Sequence, residues 1–129
     1  MQLPKIHKNN IQEFFDSEEI ILETIKQIMK DFGMFGLEIS FSGDIKNAYN
    51  ELHSQITRQV EVLFNTDLSK LYAVLYQVDI SDSKIKSEQE KFPEYSLIEI
   101  ISYQIIARDL QKILTRRYFK NTNNNLSST

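Results

Sequence analysis

Cysteine is missing from this chain, which removes disulfide frameworks, thiol catalysis and cysteine-ligated zinc or iron–sulfur centres. Tryptophan is missing too, and three glycines and two prolines among 129 residues are too few for a turn-rich all-β fold. Histidine is equally scarce. His7 lies in a polar stretch, and His53 stands two residues from Glu51, a spacing that turns the two side chains about 200° apart on a helix. Neither a Glu-x-x-His metal motif nor a Ser-His-Asp arrangement can be assembled from these residues, and no closely set pair of carboxylates stands out. The sequence therefore assigns no catalytic, cofactor-binding or metal-ligating residue. The opening MQLPKIHKNN lacks the apolar core of a secretory signal, and no later stretch reaches the ~18 to 20 uncharged apolar residues of a membrane span. The expectation is a soluble, cytoplasmic protein with no membrane partner.

What the chain does have is Ile, Leu and Phe at helical spacing. FFDSEEIILETIKQIMKDFG reads as a first helix with Asp16 or Ser17 as its cap, Glu19 as the capping-box acid of Asp16, and Gly33 as a left-handed stop. Ile21, Ile25, Ile28, Met29 and Phe32 form its apolar face, and Glu23, Lys26, Lys30 and Asp31 turn toward water. Leu37, Ile39 and Phe41 then alternate with Glu38, Ser40 and Ser42, the period of an extended segment. No second strand is evident to pair with it, so the reading is a short extended crossover near residues 37–42, hinged by Gly36 and Gly43.

Asp44 opens a long second helix with Ile45, Tyr49, Leu52, Ile56, Val60, Leu63 and Phe64 on one side. A third helix, DLSKLYAVLYQV, carries a Leu68, Leu71, Tyr72, Leu75 and Val78 stripe, and Ser81 or Ser83 caps a short fourth that Pro93 stops. The last helix, from about Glu94 to Phe119, is apolar nearly all round between Leu97 and Ile106, the mark of a helix enclosed by neighbours. The fold class expected is all-α: a single-domain bundle of four to five helices over residues 1–120, followed by a disordered polar tail at 121–129.

Three motifs mimic known sites. Asp31-Phe32-Gly33 spells the magnesium corner of a protein kinase, but the glycine-rich loop, strand lysine and catalytic-loop residues that chemistry requires are missing. The glycines at 33, 36 and 43 have no preceding strand and no Gly-Lys-Ser/Thr after them, so they bend the backbone rather than cradle phosphate. Residues 79–90 imitate a calcium loop, yet Lys84 occupies the position of the sharp-turn glycine and serines replace the charged ligands.

Two surface features remain. The net charge of −3 is unevenly placed: residues 108–129 hold five basic side chains and one acid. Arg108, Lys112, Arg116 and Lys120, with Arg117 beside them, form a stripe advancing only about 40° per step around the helix. It suits phosphates or an acidic partner, with Tyr118 and Phe119 as stacking groups; the plain alternative is a solvated face favoured by the helix macrodipole. Tyr72 and Tyr76 stand one turn apart, and Tyr76, together with Val74, is expected to be more exposed than a monomer favours, which makes the pair a candidate interaction surface. The functional expectation is a non-catalytic helical interaction protein that self-associates or docks on a protein partner. The alternative is a small regulator that binds nucleic acid through the basic stripe.

Overall fold

The computed structural model describes Ile6 and residues 10–127, the last seven of them by backbone alone. Among these residues there are six α-helices and no strand, so the chain is an all-α helical bundle. The helices are α1 (Ile11–Phe14), α2 (Glu18–Gly33), α3 (Ala48–Thr66), α4 (Leu68–Val78), α5 (Asp82–Lys91) and α6 (Leu97–Ser127). α1 is a single turn that the sequence periodicity does not announce; Ile11 and Phe15 tuck it into the core. None of the helices is long and apolar enough to cross a membrane among the described residues.

α6 is the axis. Its residues from Ile100 to Ala107 are buried without a break, Ser102, Tyr103 and Gln104 included, and α2, α3, α4 and α5 all pack on it. More than two turns without a wet face means that the helix is enclosed on every side. Ser96 caps it: its Oγ accepts from the Glu99 N–H at 3.1 Å and donates to Glu99 Oε1 at 3.1 Å. The start is thus Leu97 rather than Glu94, and the helix continues past Phe119 to Ser127, through most of the stretch read as a tail. Residues 128–129 of that tail lie outside the described residues.

Local chemistry sets the other ends. Ser17, not Asp16, caps α2, its Oγ accepting from the Ile20 N–H at 3.2 Å. α2 closes in a Schellman turn, with Leu37 N–H bonded to Phe32 C=O at 3.1 Å and Gly36 N–H to Gly33 C=O at 3.1 Å. Gly36 is the left-handed residue, at φ +73°. Gly33 still belongs to the helix, so the stop falls three residues later than the sequence suggests. Asp67 and Ser81 cap α4 and α5 by accepting from Lys70 N–H and Lys84 N–H. Asp44 makes no such bond; a 3₁₀ turn at Ile45–Asn47 leads into α3 instead. The apolar stripes hold with exceptions at their margins, because Met29, Phe64, Leu68 and Tyr72 are more than a third exposed.

The crossover between α2 and α3 solves the missing-partner problem without a second strand. Ile39 is buried, and Leu37 and Phe41 pack on the core, so the segment's backbone edge is left to find hydrogen bonds elsewhere. α3 supplies them from three side chains spaced four apart. Gln59 Nε2 donates to Glu38 C=O at 2.5 Å, Gln55 bonds both Ser40 C=O (2.7 Å) and Ser40 N–H (2.9 Å), and Glu51 accepts from Ser42 N–H (2.7 Å) and Oγ (2.7 Å). A carboxamide offers a donor and an acceptor side by side, as a peptide group does, so Gln55 stands in for the neighbouring strand. Replacing Gln55 with Ala should cost about 1 kcal/mol in chemical denaturation, since exposed hydrogen bonds contribute modestly. Amide exchange at Ser40 should quicken more than at the α6 core; unchanged exchange there would refute the role.

Candidate functional site

The basic stripe is the first candidate, and most of it is engaged by polar groups of the chain itself. α2 carries Glu19, Glu23, Gln27 and Asp31 at every fourth position, and it runs antiparallel to α6, so the two ladders meet. Lys112 Nζ lies 3.5 Å from Asp31 Oδ2 and 3.0 Å from Asp109 Oδ1. Arg116 donates to Gln27 Oε1. Arg117 bridges Glu23 at 2.6 Å and Glu19 at 3.3 Å. Arg108 turns the other way, to Asp79 Oδ2 at 2.9 Å, at the left-handed cap of α4. Lys120 is exposed. The exposed pairs each contribute a few tenths of a kcal/mol, up to about 1; they align α2 on α6 more than they hold it.

The inner end of this seam is different in kind. Asp31, expected to face water, is fully buried, as is Asp109. Gln27 Nε2 and Gln77 Nε2 donate to Asp31 Oδ1 at 2.9 and 3.3 Å, tying α2 to α4. Burial first, then the hydrogen bond and negative charge of Asp31, push the Asp109 carboxyl up from 3.8 to about 8, with Lys112 pulling the other way. Two carboxyls face one ammonium, and a proton held on Asp109 leaves the cluster neutral. The cluster is enclosed between α2, α4 and α6, so its chemistry is to hold a proton and fix helix register rather than to meet a substrate.

A second polar cluster joins α5 to α6. Tyr103 donates its hydroxyl to Glu88 Oε2 at 2.6 Å, and Lys84 Nζ lies 3.1 Å from Glu88 Oε1. Both Tyr103 and Glu88 are almost wholly buried. Burial favours the neutral acid, but Tyr103 and Lys84 outweigh it and hold the Glu88 carboxyl below its ordinary value. Burial, and then Glu88, push the Tyr103 hydroxyl well above its own. A cavity of about 310 Å³ opens over this cluster between the two helices.

The third candidate is the outer face of α4. Leu71, Val74, Leu75 and Val78 are the buried stripe, which corrects the expectation that Val74 is exposed: it is completely enclosed. Tyr76 faces out at 88 % exposure, and Tyr72 and Leu68, read from the spacing as part of the apolar stripe, face out on the same line at 54 % and 43 %. An apolar groove of about 270 Å³ runs beside the ridge, floored by Leu71, Leu75, Ile85 and Ile101. No group of three or more acidic or histidine side chains is placed to hold a metal ion among the described residues.

No family model, curated protein or solved structure matches the chain. The arrangement above is therefore the ground for any functional reading.

Sequence reasoning passes over Asp109, Glu88 and Gln104 and treats Tyr103 as plain core. A usable signal was present: a helix apolar all round has no wet side, so each polar residue on it must be buried and partnered.

Asp109 yields a pH prediction. A carboxyl whose folded value is raised stabilises the fold fully below the unfolded value and loses that contribution as pH rises through the folded one. Stability should therefore fall between about pH 4 and about pH 8, with a slope of at most about 1.4 kcal/mol per unit. Asp109→Asn should flatten that slope in urea titrations across the window; an identical slope in wild type and variant would contradict the assignment. Lys112→Met, which strips the ammonium from two buried carboxyls, should cost about 3–5 kcal/mol at neutral pH.

Proposed function

We propose that this chain is a non-catalytic helical interaction protein that self-associates through the outer face of α4. The observation that carries the reading is the Leu68, Tyr72 and Tyr76 ridge, exposed by 43 %, 54 % and 88 % on one line of one helix. Tyrosine gives large, rigid contact area and a hydroxyl that tolerates water, which is why it is enriched where proteins meet. α4 carries a single charged residue, Lys70, between Leu68 and Val78, and loss of charge is the compositional mark of an interface centre.

The occupant favoured is a second copy of the chain. A two-fold contact needs a self-complementary patch, and three side chains four apart supply one. In an antiparallel pairing of α4 with its symmetry mate, Tyr72 meets Tyr72 and Leu68 meets Tyr76. A ridge without charge has no like-sign repulsion across that axis. The nucleic-acid alternative is disfavoured by the engagement of Arg108, Lys112, Arg116 and Arg117 with groups of the chain itself, which leaves Lys120 as the exposed member with no such contact among the described residues.

Sedimentation equilibrium over a dilution series should show a monomer–dimer equilibrium, and the melting temperature should rise with protein concentration, as linkage requires. Tyr72→Glu sets two carboxylates against each other on the axis and should abolish the dimer while leaving the monomer folded, because the side chain is already exposed. A wild-type monomer at every concentration up to the millimolar range, or a dimer indifferent to Tyr72→Glu, would end the proposal.

A further inference from the structure

Leu68, Tyr72 and Tyr76 are too small a patch to hold a dimer alone. Each aromatic side chain offers about 150–250 Å² for burial, so the ridge covers a few hundred Å² per subunit, whereas a specific interface buries about 800 Å² on each side. A contact on α4 therefore has to extend past the ridge. One flank carries Ser69 and Ala73, next in sequence to Leu68 and Tyr72 and about 100° further around the helix; they are too small to add much surface. The other flank falls into the apolar groove of about 270 Å³ floored by Leu71, Leu75, Ile85 and Ile101. Phe64 of α3, 42 % exposed, belongs to the lining of that groove.

Contacts already described set the direction of the groove. Arg108 meets Asp79 at the C-terminal end of α4, while Leu71, Leu75 and Ile101 share the groove floor, so α4 runs parallel to α6. Tyr103 meets Glu88, and the turn between α4 and α5 spans only residues 79–81, so α5 runs antiparallel to both. Gln89 and Leu97 therefore line the groove at its Leu68 end and Asp82 at the other. In the antiparallel two-fold pairing of α4, Tyr76 of one copy arrives over Leu68 of the other, at the end lined by Phe64, Gln89 and Leu97. Tyr76 is 88 % exposed, so its ring is free of its own core. Gln89 offers a donor and an acceptor to the phenol hydroxyl, and the apolar lining around it has no charge to repel the ring.

We infer that Tyr76 is the specificity-determining residue of this contact: its ring seats in the groove of a second copy, over Leu68 and against Phe64, with its hydroxyl at Gln89. The two-fold axis at Tyr72 repeats the seat, so each subunit gives one ring and receives one. Seated this way the contact draws on α3, α5 and α6 as well as α4, which supplies the surface the ridge lacks. An aromatic side chain filling a desolvated pocket is the usual anchor of an interface. The inference rests on self-association through α4 and adds which side chain enters which groove.

Sedimentation equilibrium on two variants, each alone and then mixed with one of them carrying a fluorophore, tests the seat. Tyr76→Ala removes the ring, and Phe64→Glu, on a helix other than α4, sets a carboxylate in the groove; at 88 % and 42 % exposure both changes leave the core intact. Each homodimer should be weakened at least about tenfold in Kd, because both of its seats are spoiled. The heterodimer keeps one seat whole, with Tyr76 of the Phe64→Glu chain in the groove of the Tyr76→Ala chain, and gathers both changes in the other. With statistical weights removed, it should therefore bind more tightly than the geometric mean of the two homodimers, the signature of residues in contact. A heterodimer at that mean, or a dimer indifferent to either change, would overturn the seat; self-association through α4 would still stand if Tyr72→Glu abolished the dimer. A wild-type chain that stays monomeric would remove both.

Discussion

The burial of α6 between Ile100 and Ala107 is the constraint on which the rest of the molecule depends. Each fully buried isoleucine or leucine contributes about 1.5–3 kcal/mol, and this segment, with Leu110 and Ile113 after it, supplies the surface that α2, α3, α4 and α5 share. Enclosure has a second effect. A helix with no wet side cannot turn its polar residues outward, so Tyr103, Gln104 and Asp109 must be met by groups from the surrounding helices. Glu88 and the Lys84 C=O from α5, and Asp31 from α2, are those groups. The interior polar chemistry thus follows from how completely the axis is wrapped.

The same geometry explains why a basic stripe is a poor guide to function here. Arg and Lys side chains are long enough to lie across a helix–helix boundary and reach the acids of the neighbouring helix. Because α2 is antiparallel to α6 and repeats its polar residues at the same interval, the register that buries Phe32 and Ile28 also brings Asp31, Gln27 and Glu23 to Lys112, Arg116 and Arg117. A periodic charge pattern on one helix is ambiguous until the partner helix is known. The exposed tyrosines on α4 are less ambiguous, since their own helix already has a complete buried stripe and no use for them in the core.

Period and capping made the bundle legible. Five helices, α2 to α6, and the extended crossover sit close to where spacing places them, and the all-round apolar run correctly marks the central helix. What could not be read depends on contacts distant in sequence. Asp31 lies on the edge of a stripe, and only the arrival of α4, with Gln77, and of α6, with Lys112, makes that edge interior. The Gly33 stop was misplaced because a Schellman turn takes its left-handed glycine from whichever residue closes the 6→1 bond to a free carbonyl, and Gly36 does so. The crossover's partner was invisible for a related reason. Strand signals are sought in other extended segments, whereas here a glutamine on a helix supplies the peptide-like edge.

The two buried acids show how one cause gives opposite outcomes. Burial raises the affinity of both Asp109 and Glu88 for a proton. Glu88 escapes because a phenol and an ammonium reach its two oxygens separately, one from each side. Asp109 does not, because its nearest strong neighbours are another carboxyl and a lysine that Asp31 also claims. What each can do differs accordingly. Asp109 is sealed, so it stores a proton and ties the register of three helices to pH. Glu88 stands at the wall of a cavity with both oxygens already met, whereas the Gln104 oxygen that lacks a partner is itself sealed. A sealed polar group can be satisfied only by the fold, so the proton affinity of each acid is set by which helices reach it.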